Sequence, residues 1–194
     1  MILYALVEGP TDEAMTHRLA SATGHQITTC FGKKGCVWIK KHVKDFNGLS
    51  SSIPVLTLLD FMDTGLTCPP QVVSRFLPRR HPGMLFRVVV RELESWIMAD
   101  REGLAGFLSV AIGRIPQRPE LQPDPKQTLV NLARQSRYPS VRAGLVPNPG
   151  STAQVGRLYT SEISRFIQGD WEPTRARLNA PSLNRCLLRL EELR

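Results

Sequence analysis

The segment Ile2–Val7, ILYALV, is apolar along its whole length and runs directly into Glu8 and Gly9. A strand that is apolar on both faces is typical of the interior of a parallel sheet that helices cover. Ligands of such sheets bind at the carboxyl ends of the strands. The segment therefore predicts a buried strand whose end presents Glu8 where a ligand would bind.

Two further apolar runs follow the same pattern, Ile53–Leu59 before Asp60 and Met84–Val90 before a helical segment. Helical patterns lie between the runs. Residues 11–24 predict one helix with Thr11 as its N-cap, and the spacing of Ile39, Val43 and Phe46 predicts another. Strands that alternate with helices predict an α/β fold, Rossmann-like, with a largely parallel sheet and helices on both faces.

The chain changes character after residue 114, where Pro116, Pro119, Pro123 and Pro125 follow one another closely. Beyond these prolines the patterns are helical, and Ser182 predicts the cap of a terminal helix. The sequence therefore predicts an α/β domain over residues 1–114 and a mostly helical C-terminal extension over residues 115–194, packed on that domain.

The composition limits the partners and the cellular location that we expect for the protein. The net charge of +8 and the pI near 9.8 favour a polyanionic partner, and nucleic acid is the commonest one. No apolar stretch approaches the roughly 20 residues that span a bilayer, so we expect no membrane contact and a cytoplasmic location. The four cysteines form no CxxC pair, which predicts free thiols in or near the core.

Acidic residues mark the predicted strand ends. They are Glu8, Asp60 and Asp63, with Glu92 and Glu94 after the third apolar run. Carboxylates gathered at one sheet edge repel one another unless a cation lies between them, and such hard oxygen ligands suit Mg²⁺ or Mn²⁺. Each acid also has a structural interpretation: Glu8 favours the next helix N-terminus, and Asp63 favours a turn with Thr64 and Gly65.

Basic residues supply candidate phosphate contacts, and Lys33 or Lys34 is a candidate for stabilising charge on a departing oxygen. Trp38, Trp96 and Trp171 could stack on bases, although their apolar neighbours favour core positions. The predicted nucleic-acid-binding residues are Lys33, Lys34, Lys40, Lys41, Arg79, Arg80 and Arg91.

The segment Val7–Glu13 resembles the glutamate motif that opens a TOPRIM domain, the metal-dependent fold of topoisomerases, primases and OLD-family nucleases. The run ending Leu58-Leu59-Asp60 is similar to the second motif of that fold. The resemblance implies a TOPRIM-like fold in which Glu8 lies near the catalytic metal as general acid or base and Asp60 binds the metal. Residue 62 is Met where the motif usually has its second aspartate, so either Asp63 replaces that ligand or fewer ions bind.

Residues 92–100, ELESWIMAD, resemble a signature of an uncharacterised bacterial family that is regarded as TOPRIM-like. The likeness extends to Asp124–Lys126, to Pro147–Ser151 and to the terminal helix, and so covers most of the chain. The resemblance implies that Glu92 or Glu94 completes the metal site. Genes of that family often lie beside an ATPase gene in defence or DNA-maintenance loci, which implies an ATPase partner.

Three functions follow as hypotheses. The first is an Mg²⁺- or Mn²⁺-dependent DNA nuclease with Glu8, Asp60 and Lys33 as its catalytic residues. The second is a degenerate module of the same fold that docks to an ATPase or to nucleic acid. The third takes Asp60 as the nucleophile of a haloacid-dehalogenase-type phosphatase, although the spacing to Asp63 is one residue too long. The sequence does not decide whether DNA or RNA is the substrate, or whether the protein is a monomer or a homodimer.

Overall fold

The computed structural model describes residues 1–193 and contains four strands and ten α-helices there. In chain order they are β1 (Ile2–Val7), α1 (Pro10–Ala22), β2 (Gln26–Gly32), α2 (Gly35–Leu49), β3 (Val55–Asp60), α3 (Pro69–Phe76), β4 (Met84–Val89), α4 (Leu93–Ala99), α5 (Arg101–Leu108), α6 (Pro125–Arg134), α7 (Pro139–Leu145), α8 (Tyr159–Gly169), α9 (Pro173–Ala176) and α10 (Pro181–Glu191). Short 3-10 turns cover Met62–Thr64, Ile112–Arg114 and Pro119–Leu121.

The chain forms two compact units. The first contains residues 1–90 and, from residue 182 onward, the C-terminal segment; the second contains residues 91–181. The sequence placed the change after residue 114, at the proline-rich segment. In the structure that segment lies inside the second unit, and the chain passes from one unit to the other directly after β4.

The first unit has an all-parallel sheet in the order β2-β1-β3-β4. This confirms the predicted α/β fold with a parallel sheet and a helical C-terminal part. Right-handed crossovers place α1 on one face of the sheet and α2 and α3 on the other, because the chain first moves from β1 to the β2 edge and then back toward β4.

The core explains why the three apolar runs became strands. Leu6, Leu59 and Phe86 pack with Ile39 and other apolar side chains of the helices on the α2 side. Met15 and Leu19 of α1 are fully buried as well. Since both faces of the sheet are covered, the inner strands are apolar at nearly every position.

Helix α10 belongs to the first unit although it comes from the end of the described chain. The Val90 N–H donates to the Ser182 hydroxyl at 3.3 Å, and Arg189 donates to the Pro82 carbonyl at 3.0 Å. The Cys186 side chain is fully buried. Residues about 100 positions later in the chain therefore hydrogen-bond to the segments on either side of the edge strand β4.

The second unit is helical, and its core contains two tryptophans. Trp96 and Trp171 are fully buried, and the Trp171 Nε1–H donates to the Trp96 carbonyl at 3.1 Å. Their predicted core positions are confirmed. Asp100, fully buried, accepts from both Nε and an Nη of Arg175 at 2.7 and 2.8 Å, so the end of the 92–100 signature has a structural role. Within residues 1–193 no helix has the length and apolarity to cross a membrane.

Candidate metal centre

Glu8 lies between the end of β1 and the start of α1. Gly9 is the N-cap of α1: its N–H donates to the Asp12 carboxylate at 3.2 Å, and its carbonyl accepts from the Glu13 N–H at 3.1 Å. The prediction of Thr11 as N-cap was wrong, because Pro10 favours the first helical position and so sets the N-cap two residues earlier, at Gly9. Glu8 is thereby fixed immediately before a helix N-terminus.

Glu8 has two neighbours that could share a cation with it. One ligand atom each from Glu8, Cys36 and Asp63 lies within 4.8 Å of the other two. Cys36 is in the first turn of α2, and the Gly35 N–H ties that turn to the Glu8 carbonyl at 3.1 Å. Asp63 is delivered by the 3-10 turn after β3. Three separate connections of the first unit thus converge on one point.

The Glu8 carboxyl group is partly buried, and its Oε1 atom is buried without a hydrogen-bond partner. Burial is the main reason why its pKa rises from 4.5 to about 7. The negative charges of Asp12 and Asp63 raise the pKa further, whereas the Asp60 N–H and the Lys40 ammonium lower it. A buried acceptor without a donor, beside other carboxylates, is where a cation would lower the energy.

Cys36 and Lys40 form the other side of this centre. The Lys40 ammonium donates to the Asp63 carbonyl and lies 3.8 Å from Cys36 Sγ. Burial and the charge of Asp63 raise the pKa of the Cys36 thiol, which hydrogen-bonds the Asp63 carboxylate. The sequence prediction missed Cys36 and assigned Lys40 to the DNA-binding surface. Their i, i+4 spacing at the start of an amphipathic helix was the available signal.

The sequence predicts that Asp60 joins Glu8 in one metal site, but in the structure the Asp60 carboxylate is not in the group that contains Glu8. Tyr4 pairs with Val55 in the β1–β3 ladder, and this register, extended, sets Glu8 level with Leu59 and not with Asp60. Successive strand residues point to opposite faces. The Asp60 backbone N–H hydrogen-bonds Glu8, but its carboxylate is not part of the Glu8–Cys36–Asp63 group. Asp63, which was also predicted as a metal ligand, is the acid after β3 that joins Glu8.

The centre fits a hard divalent cation. Mg²⁺ and Mn²⁺ prefer oxygen ligands, and Mg²⁺ commonly uses only one or two carboxylates and keeps several waters. Glu8 and Asp63 supply such a pair, and Glu8 Oε1 is an oxygen without another partner. The acidic group could therefore hold a metal ion, as predicted in general terms.

Glu92 and Glu94 have partners within the second unit. The Lys126 ammonium lies 3.1 Å from Glu92 Oε2 and 3.5 Å from Glu94 Oε1. The Tyr159 hydroxyl donates to Glu94 Oε1 at 3.0 Å. Burial raises the pKa of Glu94, and Lys126 opposes that rise. Asp124 caps α6 by accepting from the Gln127 N–H at 2.8 Å, so the helix carrying Lys126 begins at Pro125.

The predicted nucleic-acid-binding residues are of three kinds. Lys33, also predicted to be catalytic, forms an ion pair with Glu13 at 2.8 Å, and Lys40 contacts Asp63. Arg91 is partly buried in the second unit. Four others are exposed in the first unit, and one of them, Lys34, lies 5.9 Å from the centre of the Trp38 ring. The exposed residues are Lys34, Lys41, Arg79 and Arg80.

Comparisons of the chain with protein-family models, with curated proteins and with solved structures gave no match. The resemblance to TOPRIM domains therefore stays a prediction from the motifs, and the function is inferred from the site itself.

Proposed function

We propose that the protein is a metal-dependent nuclease that hydrolyses DNA phosphodiesters with Mg²⁺ or Mn²⁺ held by Glu8 and Asp63. The proposal rests on two observations at the carboxyl end of a parallel sheet: Glu8 has a ligand atom within 4.8 Å of those of Cys36 and Asp63, and its Oε1 is buried without a hydrogen-bond partner. That edge is where α/β proteins bind their ligands. The exposed basic residues of the same unit give it the charge to attract a polyanion.

The residues of the centre have distinct roles in this proposal. When bound, the cation polarises the phosphate and lowers the pKa of a coordinated water. Glu8 holds the cation through its carboxylate, whose ionised form a bound cation stabilises. Lys40, rather than the predicted Lys33, contacts Asp63 and lowers the Glu8 pKa, and it is suited to stabilise charge on the leaving oxygen.

Asp60 acts in this proposal through its backbone, since its N–H hydrogen-bonds Glu8. Its assignment as a metal ligand, and that of Glu92 and Glu94, stay predictions. DNA as the preferred substrate and an ATPase as partner come from the family resemblance alone.

Plasmid cleavage in Mn²⁺ tests the proposal. We expect the wild-type chain to cleave, and Glu8→Gln and Asp63→Asn to lose at least about 100-fold in rate, since each removes a group that acts on the reacting centre. Asp45→Asn is the matched control: Asp45 is an exposed carboxylate on α2 that pairs with His42 and lies outside the metal group. Cleavage by Glu8→Gln at the wild-type rate would exclude the proposal.

A second function is favoured by one observation, namely that Lys40 already brings a positive charge to Glu8 and Asp63. An internal cation of this kind can replace a metal, and the fold then serves as a docking module for nucleic acid or an ATPase. Calorimetric titration with Mn²⁺ separates the two functions. A folded chain that binds no Mn²⁺, and in which Lys40→Met restores Mn²⁺ binding, would favour the docking module.

A further inference from the structure

A second group of metal-ligating side chains lies elsewhere in the first unit. One ligand atom each from Glu13, His17 and Cys30 lies within 4.8 Å of the other two. Glu13 and His17 are one helical turn apart on α1, and Cys30 is on the edge strand β2, where it pairs with Ala5. None of these residues belongs to the Glu8 centre or has a role in the proposed hydrolysis.

We propose that Glu13, His17 and Cys30 form a zinc site that links α1 to β2. The donor set is one thiolate, one imidazole and one carboxylate, which are the three ligand types that zinc takes in proteins. Mg²⁺ prefers oxygen ligands only and is a poor match for this set. With three protein ligands, water occupies the fourth position.

The spacing of the donors supports a tetrahedral ion. His17 Nε2 and Cys30 Sγ are 3.6 Å apart. Zinc bonds of about 2.3 Å to sulfur and about 2.05 Å to nitrogen at a tetrahedral angle give a sulfur–nitrogen separation of about 3.6 Å. The two ligands therefore have the required separation on a rigid helix and a rigid strand, without the metal.

Neighbouring groups complete the site. The Lys33 ammonium binds Glu13 Oε2 at 2.8 Å, and a carboxylate has a second oxygen for the metal. The Thr16 hydroxyl donates to the Glu13 carbonyl at 2.9 Å, and its contact with Cys30 opposes the rise in the thiol pKa. Partners of this kind orient metal ligands in known sites. The ion pair with Glu13 therefore gives Lys33 a role at this site, and not the catalytic role predicted from the sequence.

A reactive cysteine is the alternative use of these residues. Burial and the charge of Glu13 raise the pKa of the Cys30 thiol to about 11. A thiol that stays protonated at neutral pH is a poor nucleophile. A metal ion displaces that proton, which leaves to solvent as the thiolate–zinc bond forms.

Zinc and cobalt titrations of the reduced, metal-free full chain test the site. We expect one equivalent of Zn²⁺ to bind in competition with a chromophoric chelator, in the presence of excess Mg²⁺. Co²⁺ should give the strong near-ultraviolet absorption that a thiolate–cobalt bond produces. This absorption should be lost in Cys30→Ser and kept in Cys36→Ser, which removes the thiol of the other centre.

His17→Asn provides a ligand change that the fold tolerates, because His17 is exposed. We expect this substitution to weaken Zn²⁺ binding by at least about tenfold, because changing even the groups that support metal ligands costs about 10–100-fold in affinity. Circular dichroism of each variant confirms that the fold is intact. Equal Zn²⁺ affinity of the wild-type chain and His17→Asn would overturn the proposal, and so would cobalt absorption that disappears in Cys36→Ser instead. Glu8→Gln should keep zinc binding, so failure of the nuclease proposal is separately visible.

Discussion

Replacing Glu8 with Gln should remove a pH dependence from the stability of the metal-free protein. Burial raises the Glu8 pKa from 4.5 to about 7, so the folded state holds this proton more tightly than the unfolded state does. The stabilisation is complete below pH 4.5 and is lost as the pH rises through 7. Each pKa unit corresponds to about 1.4 kcal/mol, which gives a loss of at most about 3 kcal/mol, because the carboxyl group is only partly buried.

Unfolding of the wild-type chain and Glu8→Gln in urea, between pH 4 and pH 8 and with a chelator present, measures this loss. Subtracting the variant removes contributions common to both proteins, such as those of the four histidines. Hydrogen exchange of amides in β1 and β3 reports on the first unit alone. We expect the difference in unfolding free energy, wild type minus variant, to fall by about 2–3 kcal/mol over this range.

A cation should reverse the effect. Saturating Mn²⁺ at pH 8 binds the ionised Glu8 of the folded state and should restore the lost stability in the wild-type chain but not in Glu8→Gln. A difference between the two proteins that does not change with pH would refute the conclusion that burial raises the pKa of Glu8. Equal stabilisation of both proteins by Mn²⁺ would refute its role as a metal ligand.

Three further changes have expected outcomes. Asp63→Asn should weaken Mn²⁺ binding, measured by calorimetry, by at least about tenfold, and Asp60→Asn should weaken it less. The reason is that the Asp63 carboxylate, and not that of Asp60, belongs to the group with Glu8. A larger loss in Asp60→Asn than in Asp63→Asn would contradict the geometry. Lys40→Met should raise the Glu8 pKa further, seen as a shift of the stability transition to higher pH, since Lys40 now lowers that pKa. Arg175→Met should destabilise the second unit by at most about 3 kcal/mol, because the buried Asp100 carboxylate loses its ion pair and keeps only the Gly103 and Glu172 N–H groups as donors. The exposed Arg165 pair with Glu162 is its control, with a loss under about 1 kcal/mol for Arg165→Met.

Three of the four strands, β1, β3 and β4, could be predicted from the sequence because each coincides with a largely apolar run, whereas β2, QITTCFG, is not such a run. The run before Glu8 and the run before Asp60 appear as β1 and β3, and the helix predicted from Ile39, Val43 and Phe46 appears as α2. These features depend on local patterns of hydrophobicity, which a helix-covered parallel sheet requires.

The composition of the metal centre could not be predicted, because it depends on register. Whether Glu8 meets Asp60 or Asp63 depends on which residues of β1 and β3 are level, and a change of one position moves a side chain to the other face. The site also uses Cys36, which the chain brings in through the turn after β2. No local pattern encodes either of these long-range pairings.

The return of α10 to the first unit affects how this protein can fold during synthesis. A ribosome releases residues 1–90 long before it releases the helix that covers β4, and the intervening residues build the second unit. Until then the sheet lacks α10 beside β4. In the folded chain Arg87 of β4 donates to the Arg185 carbonyl of α10 at 3.4 Å. The first unit therefore reaches its native state only after translation has delivered residues 182–191, whereas the second unit contains none of these residues.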